Sequence, residues 1–175
     1  MSRALNAVVM LQIAAVASLS AQRVPPWQVR GDTSGAPSGC SAATGIAAID
    51  AWFVAFQNAD SSFIVRVTAV RRGFVFSTGK FTPSDAFVSA HTLPELLSYA
   101  RTRARAREHI AVQEVTFNGW RGDGLEFGPI YFRRTADDLG NRALLGVGKG
   151  EYWCGQGISV LNTAPRPTGD PGPRR

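Results

Sequence analysis

Helical patterns fill the first half of the chain and strand patterns nearly all of the second, and that order constrains the fold more than any other feature. Residues 41–58 carry Ile46, Ile49, Trp52, Phe53 and Phe56 at helical spacing on one arc, with Ala47, Ala48, Ala51 and Ala55 on the other side. Asn58-Ala59-Asp60 ends this helix: Asn suits a C-terminal cap, and Asp60 suits the start of a short turn. Residues 63–70 are apolar and β-branched and fit helix or strand. Residues 73–78 alternate and read as a strand. Thr92-Leu93-Pro94-Glu95 is a capping box opening a helix with Leu93, Leu96, Leu97, Ala100 and Ala104 on its inner face. Residues 109–118, 125–134 and 144–163, the last divided by Gly155-Gln156-Gly157, read as strands. Helices ahead of consecutive antiparallel strands predict an α+β fold, not a doubly wound sheet.

The 175 residues, 45% hydrophobic and 18% charged, suffice for one globular domain with tails. Residues 22–39 (QRVPPWQVRGDTSGAPSG) read as an extended linker rich in Pro, Gly and Ser. Residues 164–175 (APRPTGDPGPRR) read as a disordered tail, which leaves 40–163 as the folded unit. Residues 1–21 have the form of a signal peptide: Arg3, a moderately apolar stretch over 5–19, then small residues at Ser18, Ser20 and Ala21. That stretch is too short and too polar for a membrane span, so none is expected after leader cleavage. Export places Cys40 and Cys154 in oxidising surroundings, where they are expected to form one disulfide around nearly the whole folded unit. Cys40 lies too far beyond the apolar stretch to serve as a lipidation site.

A net charge of +6 first suggests an acidic partner. Six of the 19 basic residues (Arg3, Arg23, Arg30, Arg166, Arg174 and Arg175) lie in the tails, opposed there only by Asp32 and Asp170. The excess is therefore mostly terminal, which argues against nucleic acid as a partner. Arg101, Arg103, Arg105 and Arg107 read as a solvated helix end with two i,i+4 pairs, favourable near the C-terminal dipole. Arg-Gly-Asp at 30–32 and at 121–123 reads as chance in an Arg- and Gly-rich chain.

Four strings, taken in order, carry a family resemblance. AWFVAFQNAD (51–60) resembles the first-helix ending common in the nuclear transport factor 2-like superfamily, which includes the SnoaL-like and ketosteroid isomerase-like domains. LLSYARTRARAREHIAVQEVTFNGW (96–120) is similar to its passage from helix to strand, and EFGPIYFRRTADDL (126–139) to a strand closing in an Arg and an ADDL turn. GVGKGEYWCGQGISVLN (146–162) looks like the final hairpin, where Gly-Lys-Gly and a Cys recur in secreted bacterial relatives. The resemblance covers about residues 41–163. It implies a cone: a strongly curved antiparallel sheet with helices on its concave side and a pocket at its open end. It also implies that a homodimer through the outer sheet face is common.

Relatives that catalyse place a carboxylate base in an apolar pocket opposite a phenol or an acid. Asp50, beside Ile46, Ile49 and Phe53, is the candidate base, with Tyr131 or Tyr99 as donor. The plainer assignments are a solvated flank for Asp50 and half-buried core positions for the tyrosines. Strand parity sets His109 and Glu114 on opposite faces unless a bulge intervenes, and the odd separation of Glu126 and Tyr131 sets those on opposite faces too. The two His residues are isolated, so no metal site and no cofactor is expected. No Gly-x-Ser-x-Gly occurs, and Gly146-Val147-Gly148-Lys149-Gly150 lacks the ending of a phosphate loop and sits in a strand, where Gly permits close approach. The expected function is an exported non-catalytic domain that binds a small apolar ligand or mediates protein association. Trp52, Phe53, Phe56, Phe76 and Tyr131 are its expected ligand contacts. The alternatives are a pocket enzyme of the isomerase, hydrolase or cyclase kind and, third, a polyanion-binding secreted protein.

Overall fold

The computed structural model describes residues 27–82, 87–140 and 142–173. The expected leader lies outside them, as do residues 22–26 of the expected linker. Helix α1 (Ala42–Gln57) starts at Ser41, whose hydroxyl accepts from the Thr44 N–H, and ends at Asn58. Asp60 accepts from the Phe63 N–H and starts α2 (Ser61–Val67), which settles the ambiguous 63–70 stretch mainly as helix. A helix wins there because its first turn receives a side-chain cap and Ile64 can reach the core. Helix α3 (Leu93–Arg105) opens with both reciprocal bonds of the capping box between Thr92 and Glu95.

Seven strands form one open sheet: β1 (Gln28–Asp32), β2 (Val75–Thr78), β3 (Val88–Ala90), β4 (His109–Arg121), β5 (Gly124–Thr135), β6 (Leu144–Trp153) and β7 (Gly157–Pro165), in the order β1-β4-β5-β6-β7-β2-β3. The long strands β4 to β7 form an antiparallel meander. The sheet is mixed, however, and not antiparallel throughout: β1 runs parallel to β4, and β2 parallel to β7. β1 and β2 are separated in sequence from β4 and β7 by helices, and such crossovers give parallel pairs where hairpins cannot, whereas β2 pairs antiparallel with β3, the next strand in the chain.

The helices pack against one face of the sheet. Ile49, Trp52, Phe53 and Phe56 of α1 join Leu96 and Ala100 of α3 in one core with Val115, Phe117, Leu125, Phe127, Ile130 and Phe132 of the sheet. Glycine is what lets the rings lie flat on β6. A Cβ at Gly146 would stand 2.3 Å from the Phe132 ring, and one at Gly150 would stand 2.3 Å from the Val160 carbonyl. Bulges bend β4 and β5 and also change their parity. Phe127 and Ile130, three residues apart, are both core residues, because Gly128-Pro129 forms a bulge against β6. Glu126 and Tyr131 therefore share the outer face, contrary to simple alternation. The shift between Val112 and Glu114 does the same for His109 and Glu114.

The ends of the folded unit also need correction. Residues 28–32, expected in a linker, form β1; Trp27 before them is 5% exposed, and its Nε1 donates to Asp50 Oδ1 at 3.2 Å. Arg30 Nε donates to Glu114 Oε2 at 3.0 Å, so the first Arg-Gly-Asp is part of the sheet. The second makes the β4–β5 turn, with Gly122 at φ +57°. At the other end β7 runs to Pro165, and Asp170 accepts from the Tyr131 hydroxyl at 3.1 Å. Burial raises the Tyr131 pKa, and the Asp170 bond raises it further. These contacts anchor part of the segment read as a disordered tail.

Cys40, just before α1, is bridged to Cys154 in the β6–β7 turn, with 5.8 Å between the Cα atoms and a sequence separation of 114. A loop of that length should contribute about 4–5 kcal/mol through the unfolded state. The double variant Cys40→Ser/Cys154→Ser should lose about that much stability in urea denaturation while keeping the same far-ultraviolet circular dichroism spectrum.

Candidate functional site

Between α1, α3 and the inner sheet face lies a cavity walled by aromatic rings. Trp52, Phe53 and Phe56 enter from α1, Phe76 from β2, Tyr99 from α3 and Phe132 from β5, with Phe81 at the side. The rings hold one another: Trp52 stacks on Phe56 at 5.1 Å, and Tyr99 lies 5.7 Å from both Phe56 and Phe76. The space left is about 20 Å³, room for roughly one water molecule. Trp52 Nε1 is buried without a hydrogen-bond partner, so the wall contains a donor in want of an acceptor.

One end of the cavity is polar. Glu108 and Arg134 line it, and both are almost fully buried. Glu108 Oε2 accepts from Arg103 Nε and, at 2.9 Å, from Arg134 Nη2. Arg134 Nη2 also donates to the Tyr99 hydroxyl at 3.2 Å, and its guanidinium lies 4.8 Å from the Phe81 ring centre. Arg103 makes a fork with Asp138, its Nη1 and Nη2 donating to Oδ2 and Oδ1 at 2.7 and 2.8 Å. Burial opposes the charge on both arginines. For Arg103 the bonds to Asp138 and the charge of Glu108 outweigh it; for Arg134 the bond to Glu108 does, and both pKa values rise. The Arg103 bond holds Asp138 below the ordinary carboxylate range, against partial burial.

Four of the five expected ligand contacts (Trp52, Phe53, Phe56 and Phe76) meet at this cavity; Tyr131 does not, because the β5 bulge turns it outward toward Asp170. Tyr99 is present in the wall as a phenol. Asp50 is not among the lining residues, so Asp50, Tyr99 and Tyr131 do not assemble as a base–phenol pair. Arg103 overturns the reading of a solvated helix end: it is 4% exposed, drawn inward by two acids. Glu108, Arg134 and Asp138 were not singled out from sequence. The signal for them was the acid pair of ADDL facing a run of arginines at the end of α3. Among the described residues no group of three or more His, Cys, Asp and Glu side chains comes together to hold a metal ion, and no helix is long and apolar enough to cross a membrane.

No family model matches the chain. No curated protein matches it either. Solved structures do. A nuclear transport factor 2-like protein with a cystatin-like fold from Novosphingobium aromaticivorans superposes with a TM-score of 0.54 at 9% identity, over 73% of this chain and 83% of that one. A nuclear transport factor 2-like protein of unknown function from Pseudomonas putida does so with a TM-score of 0.54 at 14% identity, over 75% and 93%. The orange carotenoid protein of Anabaena, binding canthaxanthin, matches with a TM-score of 0.52 at 6% identity, over 78% of this chain but 38% of its own. The chain has the nuclear transport factor 2-like fold, as the resemblance implied.

Replacing Glu108 should be costly, because it would leave two buried guanidiniums facing each other. Glu108→Gln is expected to lose about 3–5 kcal/mol in chemical denaturation. Asp138 gives a pH signature. Its folded pKa is lowered, so its contribution is complete above the unfolded value near 3.8 and disappears as pH falls through the folded value. Melting temperatures of wild type and Asp138→Asn should differ at neutral pH and converge in acid below that value.

Proposed function

We propose that the chain is an exported, non-catalytic binding domain that takes a small, largely apolar molecule carrying a hydrogen-bond acceptor into its aromatic cavity. The observation that carries this reading is Trp52 Nε1, a buried donor without an acceptor in the wall of rings. A polar atom stranded in this way is costly unless something binds to it. Glu108 supports the non-catalytic half of the reading. It is the one carboxylate lining the cavity among the described residues, and its Oε2 is already shared by two guanidiniums. A general base needs an oxygen directed at substrate. Export rests on the leader-like residues 1–21 and agrees with the Cys40–Cys154 bridge.

At about 20 Å³ the cavity must widen before it admits more than water. Phe81 is the side chain whose removal widens it with least damage, since it is only half-buried and lies against Phe132 at 6.1 Å. With 8-anilinonaphthalene-1-sulfonate as an apolar probe with acceptor oxygens, Phe81→Ala should raise affinity at least several-fold. Thr163→Met, which fills the cavity from β7, should lower it. Equal affinity in all three proteins would refute the cavity as the site. Native mass spectrometry of the full chain purified from the exported fraction should then reveal a retained compound. The same spectrum counts subunits, and so tests association through a homodimer.

A further inference from the structure

A second concavity lies where α2 and the short turn Val70–Arg72 meet the β6–β7 turn. It is an open groove of about 290 Å³, lined by Val65, Arg66, Val70, Arg71 and Gln156 among others, with no carboxylate in its wall. Arg72 stands beside it: its Nε donates to Gln156 Oε1 at 3.4 Å, and its guanidinium lies 4.2 Å from the Trp153 ring centre. Arg66 is likewise placed, 4.7 Å over the Phe63 ring. Among the described residues none of the three arginines forms an ion pair. Asp60 is within electrostatic reach of Arg66, but its Oδ1 is engaged by the Ser62 hydroxyl at 2.8 Å and the Phe63 N–H at 3.0 Å. The groove and its edge therefore offer three cations, of which Arg66 is held by the Phe63 ring and Arg72 by the Trp153 ring and the Gln156 amide, while Arg71 is exposed in the lining. Its rim carries two apolar side chains in solvent, Val65 at 45% and Val70 at 46% exposure.

We propose that this groove docks on an anionic phospholipid surface, with Arg66, Arg71 and Arg72 on headgroup phosphates and Val65 and Val70 in the interfacial layer. Guanidinium forks match phosphate oxygens, which accounts for the cations. A free phosphate would not use the exposed valines, whereas an interface rewards apolar side chains set beside basic ones. The Cys40–Cys154 bridge ties the turn that carries Gln156 to the start of α1.

The test is co-sedimentation of the full chain with vesicles of phosphatidylcholine alone and of phosphatidylcholine with added phosphatidylglycerol. Wild type should bind the mixed vesicles and not the neutral ones. The triple variant Arg66→Gln/Arg71→Gln/Arg72→Gln should weaken binding about a hundredfold. The charge-matched control Arg101→Gln/Arg105→Gln/Arg133→Gln should bind within a few-fold of wild type. Val65→Ser/Val70→Ser should weaken binding at constant charge. All replaced side chains are exposed, so circular dichroism should be unchanged. Equal loss in the two triple variants would overturn the proposal in favour of diffuse charge. Indifference to the valine changes, or binding of inorganic phosphate at the groove without binding to vesicles, would overturn it in favour of a small-anion site.

Discussion

Glu108 is the residue on which the junction of α3, β4 and β5 depends. It follows α3 and comes just before β4, and it is the shared acceptor for guanidiniums from α3 and β5. Each arginine alone would be a buried charge, costing several kcal/mol. Glu108 and Asp138 neutralise them together, and in doing so fix where the helix stops relative to the sheet. The backbone agrees, since the Asp137 N–H donates to the Ala106 carbonyl at 2.8 Å. Gln57 extends the clamp: its side-chain amide donates to the Ile110 carbonyl at 3.2 Å and accepts from the Ile110 N–H at 3.1 Å, so α1 is tied to the start of β4 as another strand would be. These bonds tie together the elements that bound the polar end of the cavity.

Local signals explain how much of this could be read beforehand. Caps at Ser41 and Thr92 act within one helical turn, so the starts of α1 and α3 were legible to within a residue or two, whereas the stretch after Asp60 stayed open between helix and strand. The apolar arc of α1 gave three of the ring positions in the cavity, and the alternation of 73–78 gave Phe76. What could not be read depends on partners far along the chain. Arg103 looks like any surface arginine until Asp138, 35 residues later, is placed beside it. Tyr131 was assigned inward by simple reasoning about a pocket, and a bulge of two residues reversed it. Bulges have no strong sequence signature, and each inverts every parity argument beyond it.

The tails failed for a related reason. Residues 28–32 are uniformly exposed, so no hydrophobic alternation marks β1. Its stability comes from backbone pairing with β4, from the Arg30–Glu114 pair and from Trp27 beside Asp50, all of which are long-range. Composition rich in Pro and Gly correctly indicated a segment without its own core, but such a segment can still borrow one.

That borrowed strand has a consequence for how the protein keeps to itself. β4 is one of the longest strands, and without β1 its outer side would be a row of unsatisfied amides inviting any extended chain to pair. The five residues of β1 cover Glu114–Asn118 of that row with a short strand of exposed residues that ends at Asp32. A chain cut back to start at Cys40 would keep its disulfide, its helices and its cavity, yet would present a bare sheet edge to its neighbours. Its defect would appear not as unfolding but as concentration-dependent self-association.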